Sequence, residues 1–496
     1  MSISYNLHND SLKQTKRTVT CLLAILLTLS TFASISHAQQ PHIVFVVGEN
    51  EYRSEVTMPA LAKVLADHYG FRTTVLIDYV IQGGAGNSIN GLEALETADL
   101  LVLYLRFRQL PDDNLEMLQK YIDRGAPILA FRTTTHAFNY RNSDQRAEFW
   151  NSFGARELGA PWIRHYGHGA STDATTIGEH PILQGVSPEF HVRSWTYHVR
   201  PNYPPEDAQI LVHGRPVFPD KRRGDEKTVN PIAWTHTHTG GGRVFTTTMG
   251  HPEDFNVVDF RRLVVNGVYW CLDRDAPQRY APGWRAKTGQ RWRDMDYGPF
   301  LSTAVAVHPK NLTYKGIIIP LTPDHTGGTV VFDTDLLRYS AGWIGGLIDY
   351  ADVAYNGWHQ SFPSIEGELL WENKVGPGWA KNDSFEDTRS VPFGPLPKDW
   401  AHWKGLYLHK NRVILSYTVG TRSVLESPTL ESGDKASAFS RTFHLGPSTS
   451  STLVRVATIP DGKPSALPKF SRGTGGCTMS TKYRTRRTGQ PTRRSG

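Results

Sequence analysis

Blocks of apolar residues in the first half of the chain follow the order strand, helix, strand, helix. Four runs predict buried strands: His42–Gly48, Arg72–Asp78, Asp99–Leu105 and Pro127–Phe131. The stretches between them that have helical character are Glu55–Tyr69, Leu92–Leu95 and Pro111–Arg124. Strands that alternate with helices at this spacing predict a parallel sheet covered on both faces. With right-handed crossovers, the predicted fold class is α/β, with a flavodoxin-like doubly wound parallel sheet.

Polar residues follow the predicted strands at the points where the strands end. The first strand is followed by Glu49, Glu51, Tyr52 and Arg53, the third by Arg106, and the fourth by Arg132–His136. In open α/β sheets, ligands bind at this carboxyl edge. Several cations with a few acids suit a polyhydroxylated or anionic small molecule. The alternative is that Arg132–His136 is only a polar loop that caps a core strand.

Further elements follow this edge along the chain. Arg141–Arg156 has the spacing of a helix, and Phe260–Leu272 predicts a closing amphipathic helix. The runs Gln209–His213, Pro231–His236 and Arg243–Met249 predict strands, the last two as a hairpin. His251-Pro252-Glu253 comes just after the last of these strands.

A histidine-rich segment raises the question of a metal. His165 and His168 have H-x-x-H spacing, which would pair two imidazoles on one face of a helix. Gly167 and Gly169 argue against a helix here. A divalent metal such as zinc is therefore the weaker interpretation, and histidines that form hydrogen bonds in a loop are the stronger one.

The N-terminus has the three parts of a secretory signal peptide. Lys13, Lys16 and Arg17 precede the apolar run Cys21–Ile35, and Ser36-His37-Ala38 is a small-x-small cleavage site. We expect residues 1–38 to be cleaved off and the mature chain to be secreted or periplasmic. The alternative is an uncleaved N-terminal anchor. No later stretch is long and apolar enough to span a bilayer.

Cysteine and charge exclude some classes of function. The mature chain holds only Cys271 and Cys477, which is no disulfide framework. The net charge of +7 comes from the two ends, because residues 471–496 carry seven Lys and Arg and no acid. The body of the chain is slightly acidic, so the charge does not indicate a nucleic-acid-binding domain. We expect a disordered basic tail at 471–496, with a polyanion-binding arm as the weaker alternative.

The second half has a different composition. Residues 276–299 are rich in Pro, Gly and Arg and predict a linker. From 300 to 470, short β-type runs alternate with turns and predict a mostly β domain. Its dense tryptophans could stack on sugars, although a Trp-rich core is the more common use. No C-x-x-C-H is present, so we expect no attached c-type haem. After Phe470 the strand pattern stops, which suggests a truncated or shifted frame or a genuine tail.

Two motif sets carry a family resemblance. HIVFVVGENEYR, PILAFRTTTHAF, PIAWTHTHTGGGRVFTTTMGHPEDF and RRLVVNGVYWCLDR closely resemble the ThuA-like (trehalose-utilisation) family, within the class I glutamine amidotransferase-like superfamily. VVFDTDLLRYSAGWIGG and GPGWAKNDSFEDTRSVPFGPLPKDWAHWKGLYLHKNRVILSYTVG resemble a domain of unknown function seen in secreted planctomycete proteins. The resemblance implies a flavodoxin-like domain over 39–275 and a loose association with sugar metabolism.

The resemblance also frames the candidate chemistry. The superfamily's amidotransferases use an elbow cysteine and a later H-P-E, which His251-Pro252-Glu253 matches. The elbow here is Arg132 or Thr133, depending on the alignment, so a thiolate is missing. A Thr133 hydroxyl activated by His251 and Glu253 is one alternative. The favoured one is His251 as a general acid/base or ligand-binding group beside Arg132 and His136.

Two hypotheses follow from these observations. The first is an enzyme that acts on a saccharide or sugar derivative by acid/base chemistry, with or without a metal. Its catalytic residues would be Arg132, Thr133, His136, His251 and Glu253, and its substrate-binding residues Glu51, Tyr52, Arg53, Arg106 and His165. The second is a non-catalytic protein that binds a carbohydrate or the cell envelope. The partner is a small saccharide or glycan in either case, and the oligomeric state is not specified by the sequence.

Overall fold

The structure is a computed structural model. It describes residues 40–49, 51–78, 88–167, 169–281, 295–350, 362–389, 394–432, 437–448, 451–456, 469–473 and 476–480. The predicted signal peptide, most of the predicted linker and His168 lie outside the described residues. Within the described part of the chain, no helix is both long and apolar enough to cross a bilayer.

The N-terminal half is built on one nine-stranded sheet. Its strands are β1 (His42–Gly48), β2 (Arg72–Ile77), β3 (Leu100–Leu105), β4 (Ile128–Phe131), β6 (Ser171–Thr176), β7 (Glu189–Val192), β9 (Gln209–Val217), β10 (Asn230–Thr237) and β11 (Arg243–Thr247), while β5 (Arg164–His165) pairs with β8 (Tyr197–His198) beside it. The order is β2-β1-β3-β4-β11-β10-β9-β6-β7. The first five are parallel, and the other four each run antiparallel to their neighbour. The predicted flavodoxin-like fold is confirmed, with an antiparallel extension that includes the predicted hairpin β10–β11.

Helices cover both faces of this sheet. They are α1 (Ser54–Tyr69), α2 (Asp112–Asp123), α3 (Ala147–Asn151), α4 (Phe153–Leu158) and α5 (Val258–Cys271), with a 3₁₀ turn at Leu92–Thr97. Every residue of β1 is buried. Ile43, Phe45 and Val47 face the core shared with α1 and α5, and Val44 and Val46 face the core shared with α2. This two-sided burial explains why the parallel strands read as continuous apolar runs.

The predicted helix Arg141–Arg156 is two short helices after a loop. Asn151 accepts a hydrogen bond from the backbone N–H of Tyr140 (2.8 Å) and donates one to its carbonyl (3.0 Å). Asp144 pairs with Arg146 in the same loop. Asp144 also accepts a hydrogen bond from the backbone N–H of Arg146 (2.9 Å). Local side-chain bonds of this kind compete with helix formation, and a periodicity argument does not detect them.

The C-terminal half is rich in sheet, as predicted. A seven-stranded sheet contains β12 (Leu301–His308), β13 (Asn311–Pro320), β14 (Thr329–Asp333), β15 (Arg338–Ile344), β16 (Ile348–Asp349), β17 (Ser364–Ile365) and β18 (Glu368–Glu372) in the order β16-β17-β12-β13-β14-β15-β18. A four-stranded sheet follows, with β19 (Ala401–His409), β20 (Arg412–Val419), β21 (Arg422–Ser432) and β22 (Ser437–Leu445). We call residues 295–456 the sheet-rich domain. Its two sheets share a core that includes Phe332 and Tyr417.

Two sequence alternatives can be judged in this half. Trp343, Trp379 and Trp400 are buried, which favours the Trp-rich core over sugar stacking for these three. The predicted tail is not disordered from its start, because β23 (Lys469–Gly473) and β24 (Gly476–Ser480) form an antiparallel hairpin. Residues 481–496 lie outside the described part.

Candidate active site

A sharp turn after β4 fixes the centre of the site. Arg132 has φ = 39°, a left-handed conformation that is unusual for a residue other than glycine, and it opens a 3₁₀ turn over Arg132–His136. Arg132 therefore occupies the elbow that the sequence assigned to either Arg132 or Thr133. Gly154 of α4 packs against the carbonyl of Thr135, and an added Cβ would lie 2.0 Å from that oxygen. Only glycine permits this close approach, which supports the turn.

Arg132 is a buried cation held by neutral groups. Its Nη1 donates to the carbonyl oxygens of Thr248 (2.8 Å) and Trp195 (3.3 Å), and its Nη2 donates to the hydroxyl of Tyr52 (3.0 Å). The rings of Tyr52 and Tyr197 lie 4.3 and 4.7 Å from its guanidinium carbon. Its Nε is buried and has no hydrogen-bond partner among the described residues. Arg132 thus places a fixed positive charge at the sheet edge, in cation–π contact with two tyrosines.

Glu51 and Arg106 join the loops that follow β1 and β3. Oε1 of Glu51 lies 2.9 Å from Nη2 of Arg106, and both side chains are nearly buried. Burial raises the pKa of Glu51 to about 7, against the opposing effect of Arg106. Glu49 shapes this loop, because its carboxylate accepts hydrogen bonds from the backbone N–H groups of Glu51, Tyr52 and Ser54 at 2.6, 2.8 and 3.0 Å. Glu51 can therefore exchange a proton near neutral pH.

His251 begins the turn after β11. Its Nδ1 accepts a hydrogen bond from the backbone N–H of Glu253 (3.2 Å). Burial first, and then the charges of Arg132 and Arg193, lower the pKa of His251 well below its ordinary value. The imidazole is therefore neutral, and the hydrogen-bond network assigns its proton to Nε2. His251 is a hydrogen-bond donor through Nε2, and its ring lies 6.3 Å from that of Tyr52.

Asp254 holds the His251 turn in place. Its carboxylate accepts from the backbone N–H of Gly250 (2.9 Å), the backbone N–H of His251 (3.1 Å) and the hydroxyl of Ser194 (2.5 Å). The carbonyl of Gly250 accepts from the hydroxyl of Tyr104 (2.9 Å). A buried carboxylate with this many donors fixes a short turn rigidly.

Aromatic and imidazole rings form the rim. The ring of His136 lies 5.0 Å from Phe107, 5.2 Å from Trp162 and 6.3 Å from Tyr197. Burial first, followed by Arg106 and Arg132, lowers the pKa of His136 well below its ordinary value. His165 lies 5.0 Å from Trp195. Trp162 is 36% exposed, and its ring lies 5.2 Å from that of His136 and 6.5 Å from that of His165. The rim is neutral and flat, whereas the floor is charged.

The structure brings most of the sequence-predicted residues together. Those at the site are Glu51, Tyr52, Arg106, Arg132, His136, His165 and His251. Glu253 is exposed and meets the His251 ring through its backbone N–H. Thr133 Oγ1 is buried with no hydrogen-bond partner among the described residues, so it forms no bond to His251. Arg53 is directed away, to Glu55 and the carbonyl of Tyr350.

The predicted metal ligands do not form a group. Among the residues that the structure describes, no three His, Cys, Asp or Glu side chains are placed to hold an ion. His165 lies on a two-residue strand rather than on a helix, and His168 lies outside the described residues. Metal binding therefore stays a prediction.

Sequence reasoning missed three residues that shape the site. Asp254 could have been found, because an acid three residues after His251 has the spacing of a capping box. Tyr197 and Trp195 come from a segment about sixty residues beyond Arg132, with no motif of their own. Only the folded chain brings the ring of Tyr197 and the carbonyl of Trp195 to the guanidinium of Arg132.

Two family models match the chain. Residues 43–271 match the family described as Trehalose utilisation (ThuA). Residues 330–426 match DUF6797, a domain of unknown function. A comparison with curated proteins gave no match.

Several solved structures are similar in fold. A putative ThuA-like protein from Parabacteroides merdae is 16% identical, with 52% of this chain and 99% of that chain covered and a TM-score of 0.38. A cytoplasmic protein from Salmonella typhimurium LT2 is 15% identical, with 47% and 97% covered and a TM-score of 0.28. A β-galactosidase from Bacillus circulans sp. alkalophilus is 9% identical, with 66% and 40% covered and a TM-score of 0.31. Similarity at this level carries no argument about activity.

Proposed function

We propose that residues 43–271, the region that matches the ThuA family model, form a domain that acts on a saccharide or sugar derivative by acid/base chemistry. The observation that carries the proposal is the Glu51 carboxyl. It has a pKa raised to about 7 and sits 2.9 Å from Arg106 at the carboxyl edge of the sheet. A buried carboxyl whose pKa lies near neutral pH is suited to act as a general base or acid.

The site divides the chemistry between three groups. Glu51 takes the proton from a sugar hydroxyl or from a carbon next to a carbonyl, and later returns it. Neutral His251 donates from Nε2 to the sugar oxygen that gains negative charge. Arg132, fixed by Thr248, Trp195 and Tyr52, stabilises that charge without having to reorganise. The assignment is chemically consistent, because the pKa of Glu51 is raised while that of His251 is lowered.

Covalent thiol chemistry does not fit the site. Arg132 stands at the elbow, where a glutamine amidotransferase needs a cysteine. Cys271 is buried in α5, where burial raises the pKa of its thiol to about 12. A thiol in that state supplies no thiolate at neutral pH. The proposal is therefore a sugar-directed hydrolase, lyase or isomerase rather than a cysteine-dependent amidotransferase.

The rim supports a sugar as the ligand. Trp162, Phe107 and His136 form a cluster of rings in mutual contact, and Arg106 lies over the ring of Phe107. A sugar pairs an apolar C–H face with polar hydroxyl groups, and pockets that combine aromatic walls with a few placed polar groups suit such ligands.

The test begins with the purified mature chain and a panel of mono- and disaccharides. Turnover of one of them is expected, and Glu51→Gln should reduce it by about 10²- to 10⁴-fold, the usual contribution of a positioned acid or base. Glu116→Gln, at an exposed glutamate of α2, is the matched control and should leave the rate unchanged. Equal rates in the two variants would rule out the role given to Glu51.

A non-catalytic carbohydrate-binding protein is the second candidate. The observation that favours it is the missing nucleophile, since Arg132 holds the elbow and Thr133 Oγ1 has no bond to His251. Saturable binding of a glycan without any product would select this candidate. If the chain shows neither binding nor turnover of saccharides, both candidates fall.

Secretion or export to the periplasm is proposed from the sequence of residues 1–38. Intact-mass analysis of the expressed protein should find Gln39 as the first residue.

A divalent metal near His165 and His168 is tested by elemental analysis of the same sample. A stoichiometric metal would make the acid/base chemistry metal-assisted.

A further inference from the structure

The sheet-rich domain shares a core with the ThuA domain. Leu301, Val305 and Ile318 on β12 and β13 belong to the same buried apolar cluster as Val56 and Leu61 on α1. All five are at most 1% exposed. A shared apolar core of this kind is unlike the polar, mobile contact expected between independent domains. The seven-stranded sheet therefore packs against α1 as part of the same core.

A buried charge cluster connects the seven-stranded sheet to the loop that follows β3. Nζ of Lys315 on β13 lies 3.5 Å from Oδ1 of Asp78 and 3.5 Å from Oδ1 of Asp335, and it donates to the carbonyl of Ser88 (2.9 Å). Asp78 also pairs with Arg108, which is fully buried. Burial lowers the pKa of Lys315, but the two carboxylates outweigh it and hold the pKa above its ordinary value. Lys315 is thus a charged link between the domains.

A second cluster reaches the loop that follows β1. Oγ1 of Thr303 on β12 donates to Oε1 of Glu55 (3.3 Å), and Glu55 pairs with Nη1 of Arg53 (3.3 Å). Nη2 of Arg53 donates to the carbonyl of Tyr350 (2.6 Å). Arg53 is the N-cap of α1 and has φ = 50°, so these contacts hold a residue in an uncommon conformation.

We propose that the sheet-rich domain is the support of the catalytic loops, with Lys315 and Thr303 as positioning residues for the Glu51–Arg106 ion pair. Arg53 is two residues from Glu51, and Arg108 is two residues from Arg106, so each half of the pair is anchored by a neighbour. Removing one partner from a buried ion pair leaves an uncompensated charge, which makes these anchors costly to break. This inference rests on the proposed function for the roles of Glu51 and Arg106.

The charged and titratable groups around Glu51 show what the anchors control. Glu49 and Tyr52 come from its own loop, Arg106 from the loop after β3, Arg132 from the turn after β4, and Tyr197 from β8. Arg106 is the nearest cation and favours the ionised carboxylate. If its loop loses its anchor, Glu51 keeps its burial and loses part of its counter-charge, so its carboxyl should bind a proton more tightly.

The experiment measures the titration of Glu51 in the full mature chain. Protein labelled with ¹³C at the glutamate carboxyl carbons is titrated by NMR, and the Glu51 signal is assigned by its loss in Glu51→Gln. Lys315→Met should loosen the anchor that Asp78 and Arg108 give to the loop of Arg106. Because Arg106 then favours the ionised carboxylate less strongly, the Glu51 titration should shift upward by about one pH unit. Lys381→Met is the matched control, because Lys381 pairs with Asp399 on the exposed surface of the same domain. It should leave the titration unchanged.

Each outcome decides the proposal. If Lys315→Met folds and Glu51 titrates as in Lys381→Met, the positioning role is wrong. If Lys315→Met does not fold, Thr303→Val decides, since it removes only a hydroxyl and should still shift the Glu51 titration. If Glu51→Gln keeps full turnover, the proposed catalytic role fails, whereas the shifted titration in Lys315→Met would still establish the support.

Discussion

Nη2 of Arg106 lies 2.9 Å from Oε1 of Glu51, and this ion pair bridges the two loops at the point where the order of the parallel strands reverses. Chains of this topology bind ligands in that crevice. The pair is nearly buried, and it is fixed by Glu49 on one side and by the contacts of Arg53 and Arg108 with their neighbours on the other. It joins the geometry of the fold to the chemistry that we propose.

The raised pKa of Glu51 should appear in the stability of the protein. The pKa rises from its ordinary value of 4.5 to about 7 on folding, so between these values the folded chain binds more protons than the unfolded chain. Stability should therefore fall as the pH rises through this window. Relative to Glu51→Gln, the wild type should lose on the order of 3 kcal/mol of unfolding free energy. Urea unfolding at a series of pH values measures this, and a constant difference between the two proteins would contradict the raised pKa.

Arg132→Lys should damage both stability and saccharide binding. A lysine keeps the charge but cannot donate to Thr248, Trp195 and Tyr52 at once, which leaves buried acceptors without donors. We expect a loss of about 2 kcal/mol in the free energy of unfolding. Arg124→Lys is the control, because Arg124 also donates to two backbone carbonyls, but at the end of α2 away from the site. The expectation fails if the two variants bind saccharide equally well.

Asp254 and Glu253 should respond differently to the loss of charge. Asp254→Asn places an amide among the N–H groups of Gly250 and His251, and we expect it to cost about 2 to 3 kcal/mol of stability. Glu253→Gln alters an exposed side chain and should change stability by less than about 0.5 kcal/mol. Denaturant melts of the two variants make the comparison. Similar stabilities would show that the carboxylate of Asp254 does not organise the turn.

Trp162 should contribute to saccharide affinity with little effect on folding. Its exposed indole covers His136 and His165, so Trp162→Ala removes a stacking face and should weaken binding by about tenfold. Trp162→Phe should retain much of the affinity. Phe149→Ala removes an aromatic that is 45% exposed elsewhere on the domain and serves as the control in the same calorimetric titration. A dissociation constant unaffected by Trp162→Ala would exclude the stacking role.

The parallel core was predictable because its strands are buried on both faces. A strand such as β1 must be apolar throughout. Helices such as α1 have apolar residues at helical spacing instead, so the two kinds of element can be told apart in the sequence. The meeting of Glu51, Arg106, Arg132 and His251 was predictable for a related reason, since the carboxyl ends of parallel strands reach one edge.

Other features depend on contacts that no local pattern contains. The sequence could not show that Arg53 turns toward Tyr350, about three hundred residues away, while its neighbour Tyr52 meets Arg132. It did not show that the Asn151 side chain pairs with the backbone N–H and carbonyl of Tyr140. A buried polar side chain adopts the conformation in which it finds hydrogen-bond partners, because burial without them costs free energy. Those partners are supplied by the tertiary fold.

The pH dependence of kcat/KM for wild type and Glu51→Gln tests the central claim most directly, on a saccharide that the mature chain turns over. A base must be ionised to accept a proton, so the wild-type value should rise as the pH increases through about 7 and then level off. Glu51→Gln should fall by about 10²- to 10⁴-fold and lose the inflection near that pH. A Glu51→Gln profile with the wild-type rate and the same inflection would show that another group carries the acid/base step.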